Sequence, residues 1–307
     1  MPTTGVRPLT CREKRGKIHC MTNDQQTRTI RSCEIVSAAP PRADAIAEMY
    51  DDRLDVLIAR GAIEAAPLVA AGESLDRDDR DPGWARPNER MPVEDIQLLG
   101  TDTPATPTYQ APRGASLQEY LESASRHRSE TVGVFSAGFD PRAAIEGMLA
   151  QFGGGRPVEA ARADDGREYV PFTIRRLREG KQIGLHHDYH YPLALYSELA
   201  PHLDTRTLVS WVVTLRKPES GGDLCVYAVT PETPNPPKMP NGFSWDLDAV
   251  ERGYPSARFT MEVGDAFLLA SGRCLHRVAP IAGSRARVTL GGFLALDKTR
   301  SRVLYWS

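Results

Sequence analysis

The chain has 307 residues, and its hydrophobic content of 41% and charged content of 25% are typical of an ordinary folded protein rather than a disordered or fibrous one. Its 38 basic and 40 acidic side chains give a formal net charge of −2, so charge provides no reason to expect a nucleic-acid or membrane-surface partner. The five cysteines form no CxxC pair and no apolar run approaches the ~20 residues of a membrane span, which excludes a disulfide framework and a transmembrane class.

The first 40 residues predict a tail and linker rather than part of the folded core. Residues 1–40 show no sustained hydrophobic periodicity, and they end in Ala39-Pro40-Pro41. Within them, residues 1–20 are rich in basic side chains but lack the apolar stretch of a secretory signal, so we expect a cytoplasmic protein. Met21 is an alternative start. We expect one folded domain over residues 41–307.

The first part of that domain, residues 41–155, reads as helical. Helically spaced apolar residues predict a helix within 43–57, although Val56-Leu57-Ile58 could instead begin a strand, and a second helix is expected near 68–75. The charged stretch 76–88 contains prolines and a glycine, so we expect an exposed loop there, with a lid as the alternative.

Two further helices carry start signals in the sequence. Ser116-Leu117-Gln118-Glu119 is a capping box, and an apolar stripe follows it. Asp140-Pro141 combines a capping side chain with a proline suited to the first helical turn. The glycine triplet 153–155 should end that helix, and it lacks the flanking residues of a phosphate-binding loop.

After residue 155 the sequence consists of short β-rich runs separated by turn residues. Such runs without intervening helices favour a sandwich or jelly roll over a parallel βαβ sheet. We therefore predict an α+β fold with a mainly β core: a double-stranded β-helix (cupin-like jelly-roll) barrel over 156–307, buttressed by the helices of 41–155. The predicted strands are 169–177, 183–187, 207–215, 223–229, 258–263, 266–269 and 287–296.

Two histidines and one aspartate make up a candidate metal site. His186 and Asp188 are two residues apart, so on a strand their side chains point to the same face. Far downstream, His276 follows another predicted strand. Two imidazoles and one carboxylate form the facial triad that suits Fe(II) and leaves coordination positions open. An HxD pattern alone is weak, because His and Asp are common in solvated turns.

The residues after His276 strengthen this interpretation. Arg287 lies about ten positions beyond it on the next predicted strand, where Thr289 shares its face. A guanidinium with a nearby hydroxyl can bind a dicarboxylate through paired charged hydrogen bonds. Arg285 falls on the same face and is the second choice for this role. The pattern predicts a metal and 2-oxoglutarate site.

With these motifs in place, the C-terminal half resembles the Fe(II)/2-oxoglutarate-dependent oxygenases of the double-stranded β-helix fold. Within that superfamily, the runs Tyr169–His186 and Pro218–Tyr227 are similar to the free-standing aliphatic halogenases of hapalindole and welwitindolinone biosynthesis. The resemblance extends from about residue 45 to the C-terminus and is looser before Arg167. Those halogenases carry a glycine at the position of Asp188.

The resemblance implies Fe(II) held by His186, Asp188 and His276, 2-oxoglutarate held by Arg287, and O2 as the second cosubstrate. In the halogenases the missing carboxylate leaves an iron position for chloride, and here Asp188 is expected to fill it. The resemblance therefore implies hydroxylation of an unactivated C–H bond of a small molecule, plausibly in specialised metabolism, with release of succinate and CO2. Desaturation or ring closure on a similar substrate stays open.

Two other classes remain as alternatives: a non-redox cupin-like metal-binding protein, and a protein or nucleic-acid hydroxylase, which the lack of a basic groove disfavours. A homodimer is compatible with the sequence. Among the neighbours of the site, His187 should face away from the metal, and Cys274 is expected to be a small core residue rather than a zinc ligand. The remaining candidates for lining the substrate pocket are Tyr189, His190, Ser210, Trp211 and Thr214.

Overall fold

The computed structural model describes residues 28–36, 44–77, 84–85, 97–99, 138–188, 198–240 and 244–307, with shorter pieces at 117–118, 120–122, 124 and 133–136. The helices are α1 (Ala45–Tyr50), α2 (Ala65–Arg77), α3 (Pro141–Ala150) and α4 (Leu247–Gly253). The strands are β1 (Ser32–Val36), β2 (Val56–Arg60), β3 (Trp84–Ala85), β4 (Gln97–Leu99), β5 (Val158–Ala160), β6 (Thr173–Leu177), β7 (Ile183–His186), β8 (Val209–Arg216), β9 (Ser220–Gly221), β10 (Leu224–Tyr227), β11 (Ser256–Phe259), β12 (Ala266–Leu269), β13 (Leu275–Val278), β14 (Ile281–Ala282), β15 (Arg287–Leu296) and β16 (Val303–Trp306).

These strands form a large and a small sheet. The large sheet has ten strands and runs in the order β1-β2-β12-β8-β15-β6-β4-β3, with β16 paired to β15 and β5 paired to β16. The small sheet runs β11-β10-β13-β7 and is antiparallel throughout. A short β14-β9 pair lies apart from both. No described strand belongs to both sheets, so the core consists of two sheets rather than one hydrogen-bonded barrel.

The two sheets pack face to face. Apolar side chains on one face of the large sheet share a buried cluster with side chains of the small sheet, which removes both faces from water. The predicted jelly-roll class, mostly β with few helices, is confirmed by this arrangement. The cluster combines Val56, Ile58, Val212, Phe267 and Leu269 of the large sheet with Leu224 and Val226 of the small sheet.

The opposite face of the large sheet is covered by helices. Val213 and Leu290 pack there in one buried cluster with residues of α1 and α3, so these helices buttress the sheet as predicted. Helix α3 begins where the sequence indicated, because the Asp140 side chain accepts hydrogen bonds from the amides of Arg142 and Ala143 at 2.9 and 3.2 Å. None of the described helices has the length and apolar character needed to cross a bilayer.

The first half contributes more to the sheet than the sequence suggested. Residues 32–36, assigned above to the tail, form β1 and pair in parallel with β2. Strand β2 resolves the ambiguity at Val56–Ile58 in favour of a strand, and it pairs with β12. A five-residue strand with one neighbour needs the rest of the sheet for its stability, which is why local periodicity did not reveal β1. Residues 1–27 and 37–40 lie outside the described residues.

Each of the seven strands predicted after residue 155 corresponds to an observed strand, but β5, β9, β13, β14 and β16 were not predicted. Strand β15 spans the predicted residues 287–296, whereas the run 258–263 forms only the strand β11, which ends at Phe259. Beyond it the chain turns, because Asp265 accepts a hydrogen bond from the amide of Glu262 at 2.9 Å and Gly264 has a φ of 86°. The apolar alternation at residues 259, 261 and 263 therefore reflects side-chain burial, and strand pairing does not continue beyond Phe259.

A glycine in β15 allows close contact with β8, and its replacement should be costly. A Cβ at Gly291 would lie 2.7 Å from the carbonyl oxygen of Trp211, which is backbone and cannot move freely. We expect Gly291→Ala to lower the free energy of unfolding by about 1–3 kcal/mol in urea titrations. As the control, Gly147→Ala in α3 meets nothing within 4 Å and should raise it by about 0.5–1 kcal/mol. Equal changes in the free energy of unfolding for Gly291→Ala and Gly147→Ala would contradict this explanation.

Candidate metal centre

The pairing of β13 with β7 brings two predicted ligands together. In this antiparallel pair His276 stands directly opposite His186, and the two imidazole centroids are 4.2 Å apart. Asp188 follows β7 by two residues, and its backbone amide donates to the carbonyl of Ser271 at 3.0 Å. His276 and the pair His186 and Asp188, which are distant from it in the sequence, therefore converge at one end of the small sheet.

The donor atoms of these side chains face one another. Asp188 places Oδ1 3.4 Å from Nε2 of His186 and Oδ2 3.6 Å from Nε2 of His276. One ligand atom from each residue lies within 4.8 Å of the other two, a spacing that can accommodate a metal ion. Asp188 and His276 are buried, whereas the His186 side chain is 37% exposed. The centre is therefore open to solvent on the His186 side.

Each imidazole is oriented by its own backbone. Nδ1 of His186 donates to the carbonyl oxygen of Gly184 at 2.7 Å, and Nδ1 of His276 donates to that of Cys274 at 2.9 Å. These hydrogen bonds place the ring proton on Nδ1, so the Nε2 lone pairs are directed toward Asp188. This is the tautomer that a metal-binding histidine requires.

The two histidines have different electrostatic surroundings. Burial lowers the pKa of His276 to about 3, with the neighbouring His186 acting in the same direction. For His186 burial also acts to lower the pKa, but in the protonated ring Nε2–H can donate to the Asp188 carboxylate, and this hydrogen bond and the charge of Asp188 outweigh burial and raise the pKa. A neutral His276 beside an ionised Asp188 is the protonation state in which both can donate electron pairs to a cation.

Arg287 and Thr289 share one face of β15, which is the inner face of the large sheet. Both are buried in β15, while Val288 and Leu290, which alternate with them along the strand, face the helices. No hydrogen-bond acceptor in the described part of the chain pairs with the Arg287 guanidinium. Burial lowers its pKa to about 10 and the like charge of Arg175 adds to the effect, whereas the opposite charge of Asp223 counteracts part of it. A buried, unpaired guanidinium beside a hydroxyl is suited to an anionic ligand.

Arg285 does not share this environment. It precedes β15, its side chain is exposed, and it donates to the carbonyl of Pro218 at 3.3 Å. The face alternation that suggested Arg285 fails because the strand begins only at Arg287. Arg287 is therefore the cation that the fold directs inward.

The sequence reasoning missed a second inward-facing cation, Arg175 of β6. It stands opposite Thr289, on the face that also carries Leu177, and Leu177 packs against Val278 of the small sheet. Its charge acts on both His186 and Arg287, so it lies within electrostatic reach of both. The sequence did offer one signal for Arg175. Side chains alternate between the two faces of a strand, so Arg175 and Arg176 of the predicted strand 169–177 must lie on opposite faces of the sheet.

The other neighbours take mixed positions. His187 faces away from the centre, where its Nε2 lies 3.1 Å from the carbonyl of Val229 and its ring stacks edge-on with Trp245. Cys274 is a buried core residue whose Sγ lies 3.6 Å from Oδ1 of Asp55. Ser210 and Thr214 are on the inner face of β8, whereas Trp211 is on the helix side and donates to the carbonyl of Phe293. Tyr189 and His190 lie outside the described residues, as does most of the predicted loop 76–88.

The chain is similar to known proteins over most of its length. Residues 34–307 match a family model described as "Carrier-protein-independent halogenase WelO5". Curated proteins provide no match. Similar solved structures include an N-substituted L-amino acid dioxygenase from Burkholderia ambifaria AMMD (TM-score 0.42, 13% identity, 78% of this chain and 91% of that one covered) and a prolyl-4-hydroxylase from Pseudomonas putida (0.39, 16%, 81% and 97%). The alpha-ketoglutarate-dependent epimerase SnoN from nogalamycin biosynthesis has a TM-score of 0.40 at 11% identity, with 80% and 83% covered.

Proposed function

The chain belongs to the WelO5 family of carrier-protein-independent halogenases within the Fe(II)/2-oxoglutarate oxygenases, and from this premise we propose that it hydroxylates an unactivated C–H bond of a small molecule instead of halogenating it. The observation that carries the proposal is Asp188. Halogenases of this kind, by the resemblance described above, have a glycine there and use the free position for chloride.

His186, Asp188 and His276 would hold Fe(II). Their donor atoms lie within 4.8 Å of one another, and the two histidines already present Nε2 to the shared space. Two imidazoles and one carboxylate are the ligand set typical of non-haem Fe(II) oxygenases. The Asp188 carboxylate contributes one negative charge, which a glycine could not.

Arg287 would bind the far carboxylate of 2-oxoglutarate, with Thr289 beside it. The guanidinium is buried and has no acceptor among the described residues, so an anion that pairs with it gains hydrogen bonds without displacing a protein partner. The second cation, Arg175, adds positive potential between this site and the histidines. The inner face thus accommodates a dianion such as 2-oxoglutarate.

Each side chain then has a defined task in the reaction. When bound, ferrous iron would supply O2 activation coupled to the oxidative decarboxylation of 2-oxoglutarate, so that substrate, O2 and 2-oxoglutarate would give hydroxylated substrate, succinate and CO2. Asp188 would take the place at which a halide binds in the halogenases. Arg287 and Thr289 orient the cosubstrate from the large sheet, while β7 and β13 hold the histidines on the small sheet.

Iron-dependent conversion of 2-oxoglutarate tests the proposal directly. Purified protein loaded anaerobically with Fe(II) should form succinate when O2 and 2-oxoglutarate are supplied, and a matching substrate should accelerate succinate formation and gain one oxygen atom from 18O2. Omitting Fe(II) or 2-oxoglutarate, or replacing His276 with alanine, should remove the activity. Absence of succinate across a broad set of small natural-product scaffolds would count against the proposal.

The rival hypothesis is a non-redox cupin-like metal-binding protein, and one measurement can distinguish it from the oxygenase. Such a protein has no need of a dicarboxylate site, whereas the buried Arg287 guanidinium has no hydrogen-bond acceptor among the described residues and could gain one from an anionic ligand. Isothermal titration with 2-oxoglutarate in the presence of a redox-inert metal distinguishes the two. Binding that depends on Arg287 supports the oxygenase, and undetectable binding favours the rival.

A further inference from the structure

One turn contacts two of the three candidate ligands. Residues 270–274 join β12 to β13, and the carbonyl of Ser271 accepts the backbone amide of Asp188 at 3.0 Å. Three residues later the carbonyl of Cys274 accepts Nδ1–H of His276 at 2.9 Å. The conformation of this turn therefore sets both the position of Asp188 and the rotation of the His276 ring.

The turn itself is held by a salt bridge between Arg273 and the buried Asp55. Arg273 donates through Nη2 to Oδ1 of Asp55 at 3.0 Å, and it also donates to the carbonyls of Met49 and Leu54 at 2.7 and 2.9 Å. The backbone carbonyl of Asp55 in turn accepts the amide of Ala270 at 2.9 Å. Asp55 therefore contacts the turn near both of its ends.

Asp55 is held firmly by more than this one partner. Its side chain is fully buried and accepts hydrogen bonds from Arg28 at 2.6 Å and from both the amide and the guanidinium of Arg31. These hydrogen bonds outweigh burial, so the pKa of Asp55 lies far below its usual value. A buried carboxylate with several arginine partners is ionised at all working pH values and has little freedom to move.

We propose that Asp55 and Arg273 are positioning residues of the metal centre, which act through the 270–274 turn to hold Asp188 and the His276 ring in their metal-binding orientation. The proposal rests on the proposed function, since it presupposes a metal at His186, Asp188 and His276. Neither residue touches the metal site. Their influence passes through two carbonyl hydrogen bonds, those of Ser271 and Cys274.

A second buried aspartate offers a matched control. Asp265 lies at the opposite end of β12, where it accepts hydrogen bonds from Arg60 at 2.6 Å and from the amides of Gly61 and Glu262 at 2.9 Å. It thus resembles Asp55 in burial, charge partner and backbone contacts, but its hydrogen bonds hold the turn before β12 rather than the turn after it. A general loss of stability should follow replacement of either residue.

Cobalt(II) titration of the full chain provides the test. The wild-type protein should bind Co(II) with d–d absorption bands of a defined geometry, and His276→Ala should lose them. In Asp55→Asn we expect the Co(II) dissociation constant to rise roughly 10- to 100-fold, the range known for residues that orient metal ligands, with shifted bands. In Asp265→Asn the dissociation constant should stay within about twofold while the melting temperature falls.

The outcomes separate this inference from the proposed function. If the wild-type protein binds no Co(II), or His276→Ala binds it equally well, the metal centre itself is wrong and the positioning role with it. If wild-type binding is normal but Asp55→Asn keeps the wild-type constant and bands, or Asp265→Asn changes them equally, only the positioning role is overturned. Should Asp55→Asn not fold, Arg273→Lys decides by the same criteria, because it keeps the charge and loses the paired donors.

Discussion

Replacing Asp188 with glycine is expected to abolish hydroxylation and, in the presence of chloride or bromide, to yield halogenated product. The carboxylate lies 3.4 and 3.6 Å from the two Nε2 atoms and has low exposure, so its removal empties one position of the three-residue donor set. Loss of a residue that only orients a metal ligand lowers metal affinity or activity roughly 10- to 100-fold, and loss of a ligand itself should lower it further. We expect hydroxylation to fall by more than about a hundredfold.

Asp188→Asn separates the loss of charge from the loss of volume. Asparagine keeps the size of the side chain, so a halide would still find its position obstructed, and we expect this variant to lose hydroxylation without gaining halogenation. Product mass spectrometry with Fe(II), 2-oxoglutarate and a range of chloride concentrations reads both outcomes in one assay. Chlorination by the wild-type protein would show that the carboxylate does not take up the halide position.

The sequence was sufficient to single out the three side chains that the structure brings together, because most of its signals are local and periodic. His186 ends β7 and Asp188 follows it by two residues, and Arg287 and Thr289 share a face of β15. Their convergence depends on the pairing of β13 with β7 and on the packing of two sheets. The jelly-roll class made that convergence predictable without any knowledge of the register.

What the sequence could not supply depends on long-range contacts. Strand β1 is recognisable only by its pairing with β2, and the role of Asp55 emerges only where segments from both ends of the chain meet at the 270–274 turn. Arg285 illustrates the reverse error, in which alternation is extended past the first residue of a strand. Periodicity assigns a face correctly only after the strand boundary is known.

Removal of the Arg287 charge is expected to weaken 2-oxoglutarate binding severely. Losing one partner of a buried, hydrogen-bonded charge pair costs about 2–5 kcal/mol, which corresponds to roughly 30- to 3,000-fold in affinity. In Arg287→Leu the KM for 2-oxoglutarate should rise by that factor, while Co(II) binding at His186, Asp188 and His276 stays close to the wild-type value. The KM of Arg287→Lys should lie between those of the wild-type protein and Arg287→Leu, because an ammonium keeps the charge but cannot make the paired hydrogen bonds of a guanidinium.

Arg285→Leu is the matched control, because it removes the same charge two residues away from an exposed side chain. Its KM should remain within about twofold of the wild-type value, in keeping with the small energies of exposed charges. An equal rise in both variants would point to a general electrostatic effect rather than a binding site. An unchanged KM in Arg287→Leu would remove the dicarboxylate site from the proposal.

Thermal stability gives an independent reading of the same residue. Without a cosubstrate, the guanidinium is a buried cation with no hydrogen-bond acceptor among the described residues, and its lowered pKa reflects that unfavourable burial. Arg287→Leu should therefore melt at or above the wild-type temperature in the absence of 2-oxoglutarate. Adding 2-oxoglutarate at a hundred times its dissociation constant should stabilise the wild-type protein by about 2.7 kcal/mol and leave the variant unchanged. With these results, Arg287 would lower the stability of the free protein and raise it only when a dicarboxylate is bound, which is the behaviour of a residue that serves ligand binding rather than folding.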